Sequence, residues 1–178
     1  MDACDSSDDD SPYELSVFVD EAEDDPGAVK LHLDDSARKN IVDAVRCTLQ
    51  RHNRPTAAIS IRIVTDDTIA ELHERTMNIP GPTDVLTFDL SDEHNETLGS
   101  EYQSVEGDIV ISIDTAAREA DIRGHELVHE LMLYAIHATL HLLDFDDLDE
   151  SDAARMHAEE DAILESLGVG AVYGRPAS

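Results

Sequence analysis

The sequence predicts a single α+β domain in which one sheet of about four strands packs against about five helices. Three observations predict this class. The chain has 178 residues, which is the usual length of one domain. Its apolar residues follow a period of two in some segments and a helical period in others. No internal repeat and no second-domain boundary interrupts this pattern.

Four segments have the alternation and the β-branched content that are typical of strands. They are residues 15–19, 58–64, 84–88 and 107–113. The sequence Pro80-Gly81-Pro82 breaks the chain before the third strand. Residues 91–105 are polar and contain Gly and Ser, so they are predicted to form a variable loop.

Five further segments are predicted to be helices, and three of them follow a capping residue. They are residues 36–52, 66–76, 114–120, 126–143 and 152–167. The expected N-caps are Asp35 or Ser36 for the first helix, Thr65 or Asp66 for the second and Ser151 for the last. Gly168 is expected to end the last helix. Residues 1–12 are predicted to be a disordered acidic tail, 13–168 the folded domain, and 169–178 a C-terminal tail.

The formal net charge of −29 describes an acidic surface and, taken alone, argues against a nucleic-acid partner. The uneven distribution of the positive charges weakens this argument against a nucleic-acid partner. Six of the 12 basic residues fall within residues 38–62, where Asp43 is the only acid. We expect these six to supply any RNA-binding surface, although a charge-balanced helix face explains them equally well; they are Arg38, Lys39, Arg46, Arg51, Arg54 and Arg62.

No apolar stretch is long enough to span a membrane. The acidic N-terminus has no apolar segment of the kind found in secretory signals. The predicted compartment is therefore the cytoplasm.

The most informative motif is a pair of histidines, His137 and His141, which are four residues apart in an apolar segment. On a helix, this spacing places both imidazoles on one face. Two nitrogens converging at about 2.0–2.1 Å are what a zinc ion needs, together with a third ligand. Asp147 follows the expected helix end and is positioned to fold back as that ligand. The alternative is a surface helix with two solvated histidines.

Other polar residues have simpler interpretations. His125 and His129 are also four residues apart, but Glu126 and Glu130 accompany them, so a solvated helix face is predicted. Thr83 and Asp84 are expected to shape the turn before the third strand.

Three segments together resemble the YbeY family of bacterial metal-dependent endoribonucleases, which act in ribosomal RNA maturation. The first is Pro82-Thr-Asp-Val-Leu-Thr-Phe88, and the second is Gly107-Asp-Ile-Val-Ile-Ser112. The third is His137-Ala-Thr-Leu-His141-Leu-Leu-Asp-Phe-Asp-Asp147. The resemblance runs in the same order, with compatible spacing, from about Leu15 to Gly168.

The resemblance implies one divalent metal, with zinc expected first, held by His137, His141 and Asp147. The family's third histidine falls on Asp147, whose carboxylate is an acceptable zinc ligand and also favours Fe or Mn. The metal would activate a bound water or polarise a phosphodiester. The family's glycine in this turn falls on Asp144, and a family arginine thought to matter for activity falls on Met77. Arg75, two residues away, is the candidate replacement cation.

The function implied is cleavage of single-stranded RNA in 16S rRNA 3′-end maturation and ribosome quality control. The expected partners are RNA and the small ribosomal subunit or its assembly factors. Two alternatives remain open. One is a non-catalytic ribosome-assembly factor with a structural metal. The other is a metallopeptidase, which is disfavoured because the required glutamate after the first histidine is replaced by Ala138.

Overall fold

The computed structural model describes residues 11–20, 33–91 and 104–173. Residues 1–10 of the predicted acidic tail and residues 92–103 of the predicted loop lie outside this part of the chain. Within it, four strands and five helices confirm the predicted α+β class. The strands are β1 (Tyr13–Val19), β2 (Ala57–Val64), β3 (Val85–Asp89) and β4 (Val105–Ser112). The helices are α1 (Asp35–Arg51), α2 (Asp66–Met77), α3 (Ile113–Arg123), α4 (Leu127–Leu142) and α5 (Glu150–Ser166).

The four strands form one sheet in the order β1-β2-β4-β3. β1, β2 and β4 run parallel, and β3 pairs with β4 in the antiparallel direction. The parallel crossovers pass through helices, which is the connection that parallel strands require. One face of the sheet, carrying Ile59, Ile61 and Ile63, packs in the main core with α1 and α4. The opposite face carries Val64, Leu86 and Val110, which pack with Ile69 of α2.

Helix capping explains the differences between the predicted and observed helix starts. Thr65 caps α2 as predicted, with its hydroxyl accepting from the Thr68 backbone N–H. The other expected caps were wrong, because Asp34 caps α1 and Asp149 caps α5. An aspartate just outside the helix accepts from the free N–H groups of the first turn, so it displaces the start by one or two residues.

α4 is the central helix of the protein and is buried along most of its length. Its C-terminal end lies against β4 at Gly107. A Cβ atom at Gly107 would lie 2.8 Å from Leu142 Cδ1 and 3.0 Å from the backbone oxygen of Phe88. A larger residue would force Leu142 or the Phe88 backbone to shift, so glycine favours this close approach of the histidine-bearing end of α4 to the sheet.

Candidate metal centre

His137 and His141 lie at the C-terminal end of α4 with their rings facing each other. The ring centroids are 4.6 Å apart and the rings are perpendicular. The two Nε2 atoms are 3.1 Å apart. Two nitrogens that bind one tetrahedral zinc ion at about 2.0–2.1 Å lie roughly 3.3 Å apart, so this geometry fits a shared cation.

The remaining nitrogen of each ring already has a partner. His141 Nδ1 lies 3.0 Å from the backbone oxygen of Phe145. His137 Nδ1 lies 2.7 Å from Glu160 Oε1. A carbonyl oxygen and a carboxylate oxygen can only accept, so each Nδ1 carries the proton. In the neutral rings, both Nε2 lone pairs therefore point into the same space, which is the electronic arrangement that a metal ion satisfies.

The turn after α4 builds the position of the third ligand. Asp144 and Phe145 donate their backbone N–H groups to His141 and Leu140, at 3.1 and 3.0 Å. These two bonds form a Schellman motif, in which the residue after the cap adopts the left-handed conformation. Asp144 does so with φ +64°, at the position where the resembling family has glycine. The same turn presents the Phe145 carbonyl to His141.

Asp147 completes the group. One ligand atom each from His137, His141 and Asp147 lie within 4.8 Å of one another. The neighbouring Asp146 stabilises the turn, because its Oδ1 accepts from the backbone N–H groups of Asp147 and Leu148. The structure thus brings together the three residues that the sequence pattern singled out.

Glu160 was not among the site residues predicted from the sequence. This residue is fully buried on α5 and reaches His137 across the interface between α4 and α5. The sequence does contain a sign that Glu160 is buried. It lies on the apolar face of α5, one turn after Met156 and one turn before Ile163 and Leu164. A charged residue at a core-facing position is rarely left unpaired.

The environment changes the acidity of His137. Burial alone would lower its pKa, but the hydrogen bond and the charge of Glu160 outweigh burial, with Asp84 and Asp147 adding to the effect. The net result is a His137 pKa above its usual value. A proton and a metal ion therefore compete for His137 Nε2.

The histidines open onto a cavity of about 440 Å³. Its walls come from α2, from the turn before β3, from β3 itself and from the end of α4. The described residues lining it are His73, Met77, Thr83, Asp84, Val85, Leu86, Thr87, Asp89, His137, His141 and Leu142. Arg75, the candidate cation, is exposed on α2 and is not among them. Met77 lies in the wall instead, because residues two apart on a helix point in different directions.

A second cavity of about 370 Å³ adjoins the first at His137. It shares Thr83, Asp84 and His137 with the first cavity, so the two cavities together form a cleft along these three residues. Tyr134 also lines it, and burial, followed by the charge of Glu130, raises the pKa of this phenol. Its hydroxyl therefore stays protonated at neutral pH.

The first residues of the predicted C-terminal tail belong to the folded domain. The backbone N–H groups of Val172 and Tyr173 donate to Asp161 Oδ1 on α5, at 2.6 and 3.0 Å. The ring of Tyr173 stacks on His157, with centroids 3.9 Å apart, and lines the second cavity.

The six basic residues between 38 and 62 do not form one exposed strip. Arg46 is only 5% exposed and donates to Asp43 at 2.9 Å. Arg62 alternates with the core-facing Ile61 and Ile63 on β2, so its side chain lies on the sheet face opposite α1. For all six residues, a role in RNA binding stays a prediction. Arg38 donates to the Val17 carbonyl, Lys39 pairs with Asp43, and Arg51 pairs with Glu159.

The predicted solvated face at His125 and His129 was wrong for His125. Its side chain is 6% exposed, and its Nε2 pairs with Oε2 of Glu130. Glu130 is fully buried, and its other oxygen pairs with Arg123. The chain reverses at Gly124, before α4, and this turn brings the two side chains onto Glu130.

In the part of the chain described above, no helix has the length and apolar character needed to cross a membrane.

The fold and this group of residues define an α+β protein with a two-histidine, one-carboxylate site suited to a divalent cation. Comparison with known proteins identifies the family. The family model described as Endoribonuclease YbeY matches residues 26–168, and the chain belongs to this family.

Individual relatives agree with this assignment. The Endoribonuclease YbeY of Caldicellulosiruptor bescii is 32% identical over 160 residues, which cover 87% of this chain and 99% of that protein. The Endoribonuclease YbeY of Corynebacterium jeikeium is 39% identical over 134 residues, covering 71% of this chain and 72% of that protein. A solution structure of a Thermotoga maritima protein shares the fold, with a TM-score of 0.56 and 18% identity over 86% of this chain and 88% of that one.

Proposed function

We propose that the protein is a metal-dependent endoribonuclease that cleaves single-stranded RNA. The observation that carries the proposal is the pair of Nε2 atoms of His137 and His141, 3.1 Å apart beside an open cavity. Family membership supplies the reaction class, since the relatives are named as endoribonucleases.

One divalent ion, with zinc expected first, would be held by His137, His141 and Asp147. When bound, it would supply Lewis-acid chemistry at a phosphodiester or at a water molecule. The chain's own residues orient the site. Glu160 and the Phe145 carbonyl fix the tautomers and ring directions of the two histidines. Asp147 contributes a negative charge from the exposed side.

The shape of the cleft supports cleavage within a chain. The two cavities meet at Thr83, Asp84 and His137, so the cleft extends past His137 from one cavity into the other. An internal phosphodiester has nucleotides on both sides, and a single strand can follow such a cleft without a duplex partner.

The biological setting that we propose is 16S rRNA 3′-end maturation and ribosome quality control in the cytoplasm. The partners would be RNA and the small ribosomal subunit or its assembly factors. These roles rest on the resemblance to the family.

A second candidate function is a ribosome-assembly factor whose metal is structural. The observation that favours it is Met77, because a thioether in the cavity wall cannot neutralise a phosphate. The open cavity favours the enzyme, since structural zinc sites are closed by four protein ligands. The metallopeptidase alternative has no support at the site, because Ala138 is fully buried and supplies no general base.

The test is an RNase assay on single-stranded and duplex RNA of one sequence. The protein is assayed with chelator, after zinc is restored, and as the variant His137→Ala. We expect cleavage of the single strand only, loss of activity with chelator, recovery with zinc, and no recovery for the variant. Zinc binding without cleavage would favour the assembly factor. Equal cleavage by the variant would contradict the proposed site.

A further inference from the structure

The larger cavity contains few groups that could face a phosphate anion. None of its described lining residues is a lysine or an arginine. Two of them, Asp84 and Asp89, are carboxylates that repel a phosphate. Apart from the two candidate metal ligands, the only lining side chain that can carry a positive charge is His73, within the described part of the chain.

His73 has one ring nitrogen committed and one available. Its Nδ1 lies 3.0 Å from the backbone oxygen of Gly81. That oxygen can only accept, so Nδ1 carries the proton and donates it. Among the described residues, Nε2 of His73 has no hydrogen-bond partner. The ring is thus anchored through one nitrogen and keeps the other for a ligand.

The backbone around His73 holds it in the wall of the cavity onto which the candidate metal centre opens. His73 lies one helical turn before Met77 on α2, and both residues line the cavity. Gly81 belongs to the turn that leads into Thr83 and Asp84, which lie between the two cavities. Gly81 has φ +100°, a conformation that glycine adopts without strain. The His73–Gly81 bond therefore ties α2 to the turn that shapes the cleft.

We propose that His73 is a catalytic residue that donates a charge-assisted hydrogen bond from Nε2 to a non-bridging oxygen of the scissile phosphate. This inference rests on the proposed endoribonuclease function. With Nδ1 committed as a donor, a donor at Nε2 means that the ring is the imidazolium, and the phosphate oxygen is a charged acceptor that matches it. No bond is made or broken by His73 in this role. Its positive charge offsets the negative charge of the phosphate, which the carboxylates of Asp84 and Asp89 cannot do.

Two substitutions distinguish a contact of His73 with phosphate from its structural hydrogen bond to Gly81. His73→Asn keeps a donor close to the position of Nδ1, so it preserves the bond to Gly81, but it has no group at Nε2. His73→Gln places an uncharged donor close to the position of Nε2. A hydrogen bond to a charged group is worth enough to change a rate by about 10- to 100-fold. We therefore expect His73→Asn to lower kcat/KM for single-stranded RNA by that factor and His73→Gln to recover part of it.

Melting temperature and zinc affinity provide the structural control. We expect both to be unchanged in His73→Asn. His129→Asn is the matched variant, because it makes the same change at a histidine that lines neither of the two cavities, and it should cleave RNA like the wild type. His73→Asn with wild-type kcat/KM would overturn the proposal. So would a loss of activity accompanied by loss of zinc, or an equal loss in His129→Asn.

Binding provides a readout that does not depend on cleavage. The probe is a 2′-O-methyl oligonucleotide, followed by fluorescence anisotropy with the zinc-loaded protein. We expect weaker binding by His73→Asn than by the wild type or His129→Asn. A wild type that binds the probe but cleaves no RNA would refute the proposed function, and the His73 contact would still be judged by this comparison. Equal binding by all three proteins would refute the contact.

Discussion

Oε1 of the fully buried Glu160 accepts a 2.7 Å hydrogen bond from Nδ1 of His137, and this bond joins α5 to the metal-facing helix α4. The two residues are 23 positions apart in the chain. The bond fixes which nitrogen of His137 faces His141. It also places a negative charge directly behind a candidate metal ligand.

Glu160→Gln should weaken zinc binding by roughly 10- to 100-fold, because partners of metal-ligating histidines contribute that much to affinity. Gln retains the shape and an acceptor oxygen, so the fold should survive. Competition titration with a zinc chelator of known affinity measures the change. The control is Glu159→Gln, which alters the neighbouring carboxylate that pairs with Arg51 and His52. Equal zinc affinities for the two variants would contradict a role for Glu160.

Zinc affinity should fall as the pH is lowered through the raised pKa of His137. The metal needs the neutral ring, and Glu160 favours the protonated ring, so zinc must displace a proton. In Glu160→Gln, the fall should shift to lower pH because the main cause of the raised pKa is gone. Isothermal titration calorimetry in buffers of different ionisation enthalpy counts the released protons. A pH-independent affinity in the wild type would argue against His137 as a ligand.

The raised pKa of His137 weakens zinc binding at low pH, but in the metal-free protein it stabilises the fold at low pH. A histidine whose folded-state pKa is raised stabilises the fold fully below its unfolded pKa of about 6.5, and this contribution is lost as the pH rises through the folded-state value. With chelator present, the difference in unfolding free energy between the wild type and His137→Gln should therefore shrink with rising pH. Urea titrations across this range measure it. A difference that grows with pH would show that burial, rather than Glu160, dominates at His137.

Asp147→His should retain or strengthen zinc binding, because it restores the ligand found in the resembling family. Asp147→Asn should weaken binding, because a neutral amide replaces the carboxylate ligand. Asp146→Asn is the matched control, since Asn keeps the Oδ1 acceptor that supports the turn. Its zinc affinity should equal that of the wild type. If Asp146→Asn were the damaging change, Asp146 rather than Asp147 would be the ligand.

Gly107→Ala should destabilise the protein by about 1–3 kcal/mol, the usual cost of overpacking a tight core contact. The added Cβ would lie 2.8 Å from Leu142 Cδ1 and 3.0 Å from a backbone oxygen that cannot rotate away. For a chain of this length, that corresponds to a fall in Tm of roughly 2–4 °C per kcal/mol. Adding Leu142→Val removes part of the clash and should restore part of the loss. If Gly107→Ala were as stable as the wild type, α4 would be able to move away from the added Cβ without cost.

The sequence by itself determined the features that depend on residues close together in the chain. Period-two and helical patterns located every strand and helix of the described part, because each pattern repeats within a few residues. The spacing of His137 and His141 predicted a shared face for the same reason. Asp147 followed from the register of the turn and from the family resemblance.

Only the tertiary structure decided which distant side chains meet. Glu160 reaches His137 because α5 packs on α4, and no local pattern encodes that register. The six basic residues do not share one surface. Arg46 is buried on α1, and Arg62 lies on the face of the sheet away from α1. Linear proximity of charges does not determine a surface, whereas the packing of helices on a sheet does.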